Sequence, residues 1–267
     1  MIKIAVCGAA GRMGGRIIVA VHEAEGVELS GALERPGHPM LGQDAGIISG
    51  CGMLDIKITD NLNEAVKGCD VLIDFTTPKV SLKNLEVCGI FRKSIVIGST
   101  GFSAEERELA SELAKDIPVI LAPNMSVGVN VCFKVLADIA KILGEEFDVE
   151  IVEAHHRLKK DAPSCTALRM GEVVAGALGR DFRQVANCHR EGITGERTKE
   201  EIGMQTIRGG DIVGDHTVYF IGMGERIELT HRAHTRDMFS RGSVRAARWV
   251  VGREPGLYDM QDVLGLR

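Results

Sequence analysis

Aromatic residues make up only 4% of the 267-residue chain, with 1 tryptophan. Surfaces that stack nucleic-acid bases need such rings, and the formal net charge of −5 removes the electrostatic case for nucleic acid or an acidic membrane. The 7 cysteines, at positions 7, 51, 69, 88, 132, 165 and 188, include no C-x-x-C pair. That odd count and spacing fit reduced thiols in a cytosol better than a disulfide framework or a zinc site. No stretch approaches the ~18 apolar residues of a membrane-spanning helix. The N-terminal Met1–Val6 has neither the charged start nor the long apolar run of a secretion signal. Neither internal repeats nor low-complexity tracts occur. The expectation is a cytoplasmic protein without metal, nucleic-acid or membrane partners.

What remains is an ordinary globular composition, 45% hydrophobic and 26% charged. A chain of this length forms one large domain or two modest ones. Its first half alternates strand and helix signals. Ile2–Cys7, Val27–Leu33, Asp70–Phe75, Ser94–Ile97 and Pro118–Leu121 read as strands. Arg12–Ala24 and Ala104–Lys115 carry helical spacing, and the glycine-rich Gly37–Gly52 reads as a long loop. Repeated strand-helix-strand units imply a parallel sheet with helices on both faces. A helix is expected over Val127–Leu143. Val149–His155, Met204–Arg208, Thr217–Ile221 and Arg226–Arg232 then read as strands with few helices between, which predicts a mixed or antiparallel sheet. The tail returns to helical spacing through Val244, Ala247, Trp249 and Val250. The fold class is α/β: a parallel-sheet domain followed by a second, α+β domain with a mixed sheet.

Gly8-Ala9-Ala10-Gly11-Arg12-Met13-Gly14 is a G-x-x-G-x-x-G turn between a strand and a helix, where a dinucleotide fingerprint belongs. Alone it is weak, because such turns also serve packing. Glu34 strengthens it, lying at the end of the second strand, where an acidic side chain can bond ribose hydroxyls. Arg35 can pair with a 2′-phosphate or stack on adenine. Glu34 favours NADH and Arg35 admits NADPH, so both cofactors are expected. Gly98, Ser99 and Thr100 follow one strand, and Ala122, Pro123, Asn124 and Met125 follow another. Both loops fall at the carboxyl edge of the sheet and are candidate walls of the same site.

The segment Glu153–Ala167 contains His155, His156, Lys159 and Lys160, followed by Pro163-Ser164, a helix start. Adjacent residues of a strand point to opposite faces, so a break after the histidines is required for both to line one pocket. Free backbone N–H groups at a helix start attract carboxylates. A proton donor beside such a cradle points to chemistry on a small dicarboxylic acid, whereas the plain reading of the pair is a basic surface turn. His231 and His234 lack a completing Cys or carboxylate pattern and read as structural or surface groups. Glu105, Glu106 and Glu108 read as a solvated helix start placed favourably for the helix dipole.

Taken together, Gly8–Gly14, Asp74-Phe75-Thr76, Val96–Phe102, Asn124–Asn130, Glu153–Ala167, Arg190-Glu191-Gly192, Gly195-Glu196-Arg197 and Arg208–His216 resemble the 4-hydroxy-tetrahydrodipicolinate reductase family, formerly dihydrodipicolinate reductase. The His-His-x-x-Lys-x-Asp-Ala-Pro-Ser motif is specific to that family; the glycine turn is not. The resemblance implies NADH- or NADPH-dependent reduction of a cyclic dicarboxylate in lysine and diaminopimelate synthesis by a homotetramer, with a Rossmann-like dinucleotide domain over 1–126, rejoined by 237–267, and a substrate and oligomerisation domain over 127–236. It implies that His155 is the proton donor, that Lys159 is catalytic, and that His156 and the Cys165-Thr166 backbone bind substrate carboxylates. One position departs from the pattern: Cys165 stands where the family usually has glycine, adding bulk at the cradle. Two rivals are a different two-domain NAD(P)-dependent dehydrogenase, which the His-His-x-x-Lys segment opposes, and a non-catalytic redox sensor, which damage by Cys165 would favour.

Overall fold

The computed structural model describes residues 1–267. They form two compact units, Met1–Val127 with Asp237–Arg267, and Gly128–Arg236. The first elements are β1 (Ile2–Cys7), α1 (Arg12–Glu23), β2 (Val27–Leu33), α2 (Ala45–Ser49), β3 (Ile58–Thr59), α3 (Leu62–Lys67), β4 (Val71–Asp74), α4 (Pro78–Phe91), β5 (Ser94–Ile97), α5 (Ala104–Leu113), β6 (Pro118–Leu121) and α6 (Val127–Leu143). They are followed by β7 (Asp148–His155), α7 (Cys165–Ala177), α8 (Phe182–Val185), β8 (Ala186–Asn187), β9 (Ile202–Arg208), β10 (Gly214–Ile221), β11 (Arg226–Ala233), α9 (Asp237–Val250), β12 (Gly256–Tyr258) and α10 (Met260–Leu264).

The first unit is built on a parallel sheet in the order β12-β6-β5-β4-β1-β2-β3. Its short strands are apolar on both faces, as expected where helices cover both sides. The period-2 alternation of side chains divides them between two cores. Ile4, Val6, Val71, Ile73, Val96 and Ile120 face one way, while Ala5, Leu72, Ile95, Ile97 and Val119 face the other. The chain returns to this unit through α9, whose Val244, Ala246, Ala247 and Val250 join the first core beside Ile17, Ile18 and Val21 of α1. Strand order reverses between β1 and its neighbours β2 and β4. Ligands of such sheets bind outside the carboxyl ends of the strands at that reversal.

The second unit is a mixed sheet in the order β11-β10-β7-β9-β8. β7 and β10 pair antiparallel, as do β10 and β11, whereas β7–β9 and β8–β9 are parallel. One face packs on α6 and α7, with Val149, Ile151, Ile202, Met204, Val218 and Phe220 against Leu136, Ala140, Met170 and Val174.

Four differences from the sequence reading have physical causes. Gly37–Gly52 is not all loop, because the Asp44 carboxylate accepts the N–H groups of Gly46, Ile47, Leu54 and Ile56 and so caps and anchors α2. α4 has no simple apolar stripe because its buried face includes two polar groups. Ser81 bonds Ser99, and Asn84 donates to Asp74. The strands β3, β8 and β12 span only two or three residues, too few for a period to register. At α5 the acidic start is more than a solvated face: Ser103 and Glu106 form a reciprocal capping box.

The β1–α1 turn is sterically tight. Gly8 has φ +72°, and a Cβ at Gly14 would lie 2.0 Å from the Gly8 carbonyl oxygen. Gly14→Ala is therefore expected to destabilise the protein by about 1–3 kcal/mol through overpacking, read as a lower midpoint in chemical denaturation.

Candidate active site

Two groups of residues, one in each unit, carry chemistry. In the first unit, β1 ends at Cys7 and the glycine turn opens α1, whose N-cap Gly11 has no side-chain hydrogen bond to the helix start. The first N–H groups of a helix lack intrahelical partners, so the start at Arg12 and Met13 suits an anion. A Cβ at Gly11 would stand 3.0 Å from the Gly8 oxygen, so the backbone surface there is bare. The other predicted turn amides are engaged by the fold: Ala9 N–H donates to the Leu33 carbonyl, and Ala10 N–H donates to Glu34 Oε1. The second Glu34 oxygen accepts from Arg35 N–H. The Glu34 carboxylate thus sits at the rim of the turn, and the Arg35 side chain is exposed. A pyrophosphate at the helix start with ribose hydroxyls toward Glu34 fits these groups.

Beneath the turn lies a polar support that sequence reading did not single out as a site. Asp74, at the end of β4, is fully buried; its Oδ1 accepts from Thr76 N and Thr76 Oγ1, and its Oδ2 from Asn84. Along the same sheet edge, Gly98 and Ser99 are buried while Thr100 is exposed. A Cβ at Gly98 would meet the Phe75 ring at 2.3 Å. Ala122, Asn124 and Met125 follow β6 directly; Ser126 N–H donates to Asn124 Oδ1, and Met125 is buried. Pro123 is exposed between them.

In the second unit the decisive feature is a change of character along three adjacent strands at one level. On the helix-covered face, β7 runs Val149, Ile151, Glu153, His155; β9 runs Ile202, Met204, Thr206, Arg208; and antiparallel β10 runs Phe220, Val218, His216, Gly214. Each strand is apolar where the helices pack and polar beyond. The side chain of Glu153, 1% exposed, lies at the centre. It accepts from both Arg208 nitrogens at 2.7 and 2.8 Å, from Thr206 Oγ1 at 3.2 Å and from Ser164 N at 3.1 Å. His155 Nδ1 lies 2.6 Å from its Oε2. Ser164 caps α7 by accepting from Ala167 N–H, and its Oγ lies 2.9 Å from His216 Nε2. The His155 and His216 rings meet edge to face at 5.2 Å.

β7 ends at His155, so the break falls between the two histidines. Gly209 N–H donates to the His155 carbonyl and Arg157 N–H to that of Gly210, which fixes the turn carrying half-buried His156. Lys159 Nζ donates to both oxygens of Asp161, at 2.8 and 2.9 Å. Cys165 is the first residue of α7 and exposed; Thr166 follows it, half-buried. His155, Lys159 and the α7 start are thus joined through Glu153, Arg208 and Asp161, the main-chain carbonyl of Asp161 also accepting from Arg208. Glu153, Arg208 and His216 were missed as candidate site residues. The common apolar-to-polar switch at alternate positions of the three strands was the available signal. His231, opposite His216 on β11, is half-buried, and His234 is exposed.

A parallel sheet with a glycine turn at its strand reversal, joined to a mixed-sheet unit bearing a histidine-lysine cluster, defines a Rossmann-type dinucleotide-dependent oxidoreductase. Residues 2–125 match the family described as dihydrodipicolinate reductase, N-terminus, and residues 128–264 its C-terminus. The chain belongs to the dihydrodipicolinate reductase family. It is 80% identical over 267 residues, all of both chains, to the 4-hydroxy-tetrahydrodipicolinate reductase of Geotalea uraniireducens (strain Rf4). It is 78% identical, again over both full lengths, to that of Geobacter sulfurreducens (strain ATCC 51573 / DSM 12127 / PCA). A dipicolinate-bound dihydrodipicolinate reductase from Paenisporosarcina sp. TG-14 superposes with a TM-score of 0.75 at 25% identity, covering 97% of each chain. An amine dehydrogenase from Mycobacterium smegmatis, 14% identical with a TM-score of 0.60 over 96% of this chain and 94% of that one, shares the fold.

The cluster's electrostatics follow from burial and pairing. Burial opposes ionisation of Glu153, but hydrogen bonds from Arg208 and His155 outweigh it and hold the carboxyl at about 2. Burial lowers the pKa of His155, helped by Lys159 and Arg208 and opposed by Glu153. His216 is lowered to about 4, first by burial and then by His155. Between its ordinary 6.5 and about 4, His216 is neutral in the fold and charged in the unfolded chain. Protons therefore favour unfolding in that window: the stability present above 6.5 is lost as pH falls. Lowering pH from 7 to 5 is expected to cost on the order of 2 kcal/mol of unfolding free energy through this group. Urea titrations at the two pH values check this, and His216→Gln is expected to flatten the dependence.

Proposed function

We propose that the chain reduces 4-hydroxy-tetrahydrodipicolinate to tetrahydrodipicolinate, a step in lysine and diaminopimelate biosynthesis. Substrate, NAD(P)H and one proton give product, NAD(P)+ and water. The observation that carries this reading is a half-buried histidine, backed by a carboxylate, beside a lysine and a helix start, in a chain matching named reductases from end to end. Bound NAD(P)H supplies the hydride. Loss of the 4-hydroxyl as water, with a proton from the adjacent carbon, leaves a conjugated ring; hydride addition to that ring leaves negative charge that must be quenched by protonation at carbon. His155 is the proton donor, imidazole being the side chain whose ordinary pKa lies near neutrality. Lys159 steers the dianion and stabilises developing charge; to do so it exchanges Asp161 for the substrate. His156 and the backbone at Cys165 and Thr166 hold substrate carboxylates.

In the first unit, the α1 start at Gly11, Arg12 and Met13 holds the pyrophosphate, with Gly8, Ala9 and Ala10 shaping the turn. Glu34 takes the ribose hydroxyls, and Arg35 takes the 2′-phosphate of NADPH. Gly98, Ser99, Thr100, Ala122, Pro123, Asn124 and Met125 line the nicotinamide end. The reading includes a cytoplasmic homotetramer without metal. Support for assembly comes from the face of the mixed sheet away from α6 and α7, where the β9 residue Ile207 and the β10 residue Ile221 are 51% and 38% exposed.

The test is oxidation of NADPH and NADH by the purified protein with substrate formed freshly from pyruvate and aspartate semialdehyde; no turnover with either would remove the reading. His155→Ala is expected to lower kcat by at least about 100-fold with the Kd for NADPH unchanged by fluorescence titration. Arg35→Ala is expected to raise the Kd for NADPH by roughly tenfold, about 1.4 kcal/mol, and to leave that for NADH unmoved.

A further inference from the structure

We infer that Glu153 is the positioning residue of the proton donor: it fixes which nitrogen of His155 delivers the proton and ties that histidine to the start of α7. The inference rests on the reading of His155 as proton donor given above.

An ionised carboxylate can only accept hydrogen bonds. Glu153 is kept ionised by the paired nitrogens of Arg208, so the 2.6 Å contact requires the hydrogen to reside on His155 Nδ1. Nε2 is then the exchangeable nitrogen. It lies over Gly214, where an added Cβ would approach it to 3.0 Å, so the glycine leaves room on that side. The charged and titratable groups facing His155 come from every neighbouring element: Glu153 of its own strand, Arg208 of β9, the neutral His216 of β10 and Lys159 of the following turn. Among them Glu153 is the one that favours the imidazolium. A proton from solvent loads Nε2, and the arriving dianionic substrate adds a second source of negative charge. In the reaction the Nε2–H bond breaks, its electron pair stays on nitrogen, and the electron pair of the reduced ring forms the new C–H bond. His155 returns to the neutral Nδ1–H form. Arg208 prevents the alternative, transfer of the Nδ1 proton to Glu153.

The same carboxylate accepts Ser164 N–H, and Ser164 caps α7. One buried group thereby sets the donor and the carboxylate-binding helix start in register. Replacement by glutamine keeps the shape but presents an NH2 group toward Nδ1, reversing the tautomer.

Two measurements on the full-length protein decide the matter. In protein labelled with 15N-histidine, long-range proton–nitrogen correlation is expected to show His155 as the Nδ1–H tautomer, its signals assigned by their loss in His155→Gln. In Glu153→Gln the tautomer is expected to reverse. kcat is expected to fall at least about 100-fold with the Kd for NADPH unchanged. The loss of kcat at rising pH is expected to begin about one unit lower than in the wild type. Glu153→Asp, which keeps the charge, should recover the limb. An Nε2–H tautomer in the wild type, or an unmoved pH profile in Glu153→Gln, overturns the inference. Should that variant fail to fold, the wild-type tautomer alone decides. Absence of reductase turnover in the wild type would instead remove the proposed function, which the tautomer measurement does not touch.

Discussion

A carboxylate taken out of water is tolerated only when its lone pairs are filled and its charge is balanced. Glu153 meets both conditions with donors from two elements besides its own strand, Thr206 and Arg208 on β9 and the Ser164 amide at the head of α7, and with His155 two residues along β7. Losing any of them leaves a buried charge short of a partner, which is costly. The register of β7 against β9, the entry angle of α7 and the orientation of the His155 ring are therefore coupled through one side chain. The second unit packs like any mixed sheet under two helices, but its polar end is organised around this anion.

The first unit solves a different problem. It must leave backbone bare at the carboxyl edge of a sheet whose interior is otherwise closed. The glycine turn does this by geometry, because side chains at positions 11 and 14 would press on the Gly8 carbonyl oxygen. The Asp74–Thr76–Asn84 cluster holds the neighbouring strand end from below. α9 then closes one face of the sheet with small residues, and a Cβ at Gly242 would lie 1.8 Å from the Met125 oxygen. The strand-end loop at Asn124 and Met125 is thus set by a segment far along the chain.

Much of the architecture was readable from periodicity. β1, β2, β5, β6 and α6 occupy the ranges expected for them, because the strands are short, largely apolar runs bounded by turn residues and α6 keeps helical spacing over its length. α2 and α4 were not readable. The first depends on Asp44 collecting amides up to twelve residues away, and the second buries Ser81 and Asn84 against partners on other elements. In both, tertiary hydrogen bonds replace the local pattern that sequence reading relies on.

The candidate site divides along the same line. His155, His156, Lys159 and the glycine turn are adjacent or regularly spaced in the chain, so local order is enough to mark them, and the ordered motifs are enough to mark the family. Arg208 and His216 lie 53 and 61 positions after His155. Only the pairing of β7 with β9 and β10 brings them to one face. Residue types and their order thus determined which chemistry the chain carries. The fold decided how its central histidine is held, because a buried ion pair is a property of strands that meet in space.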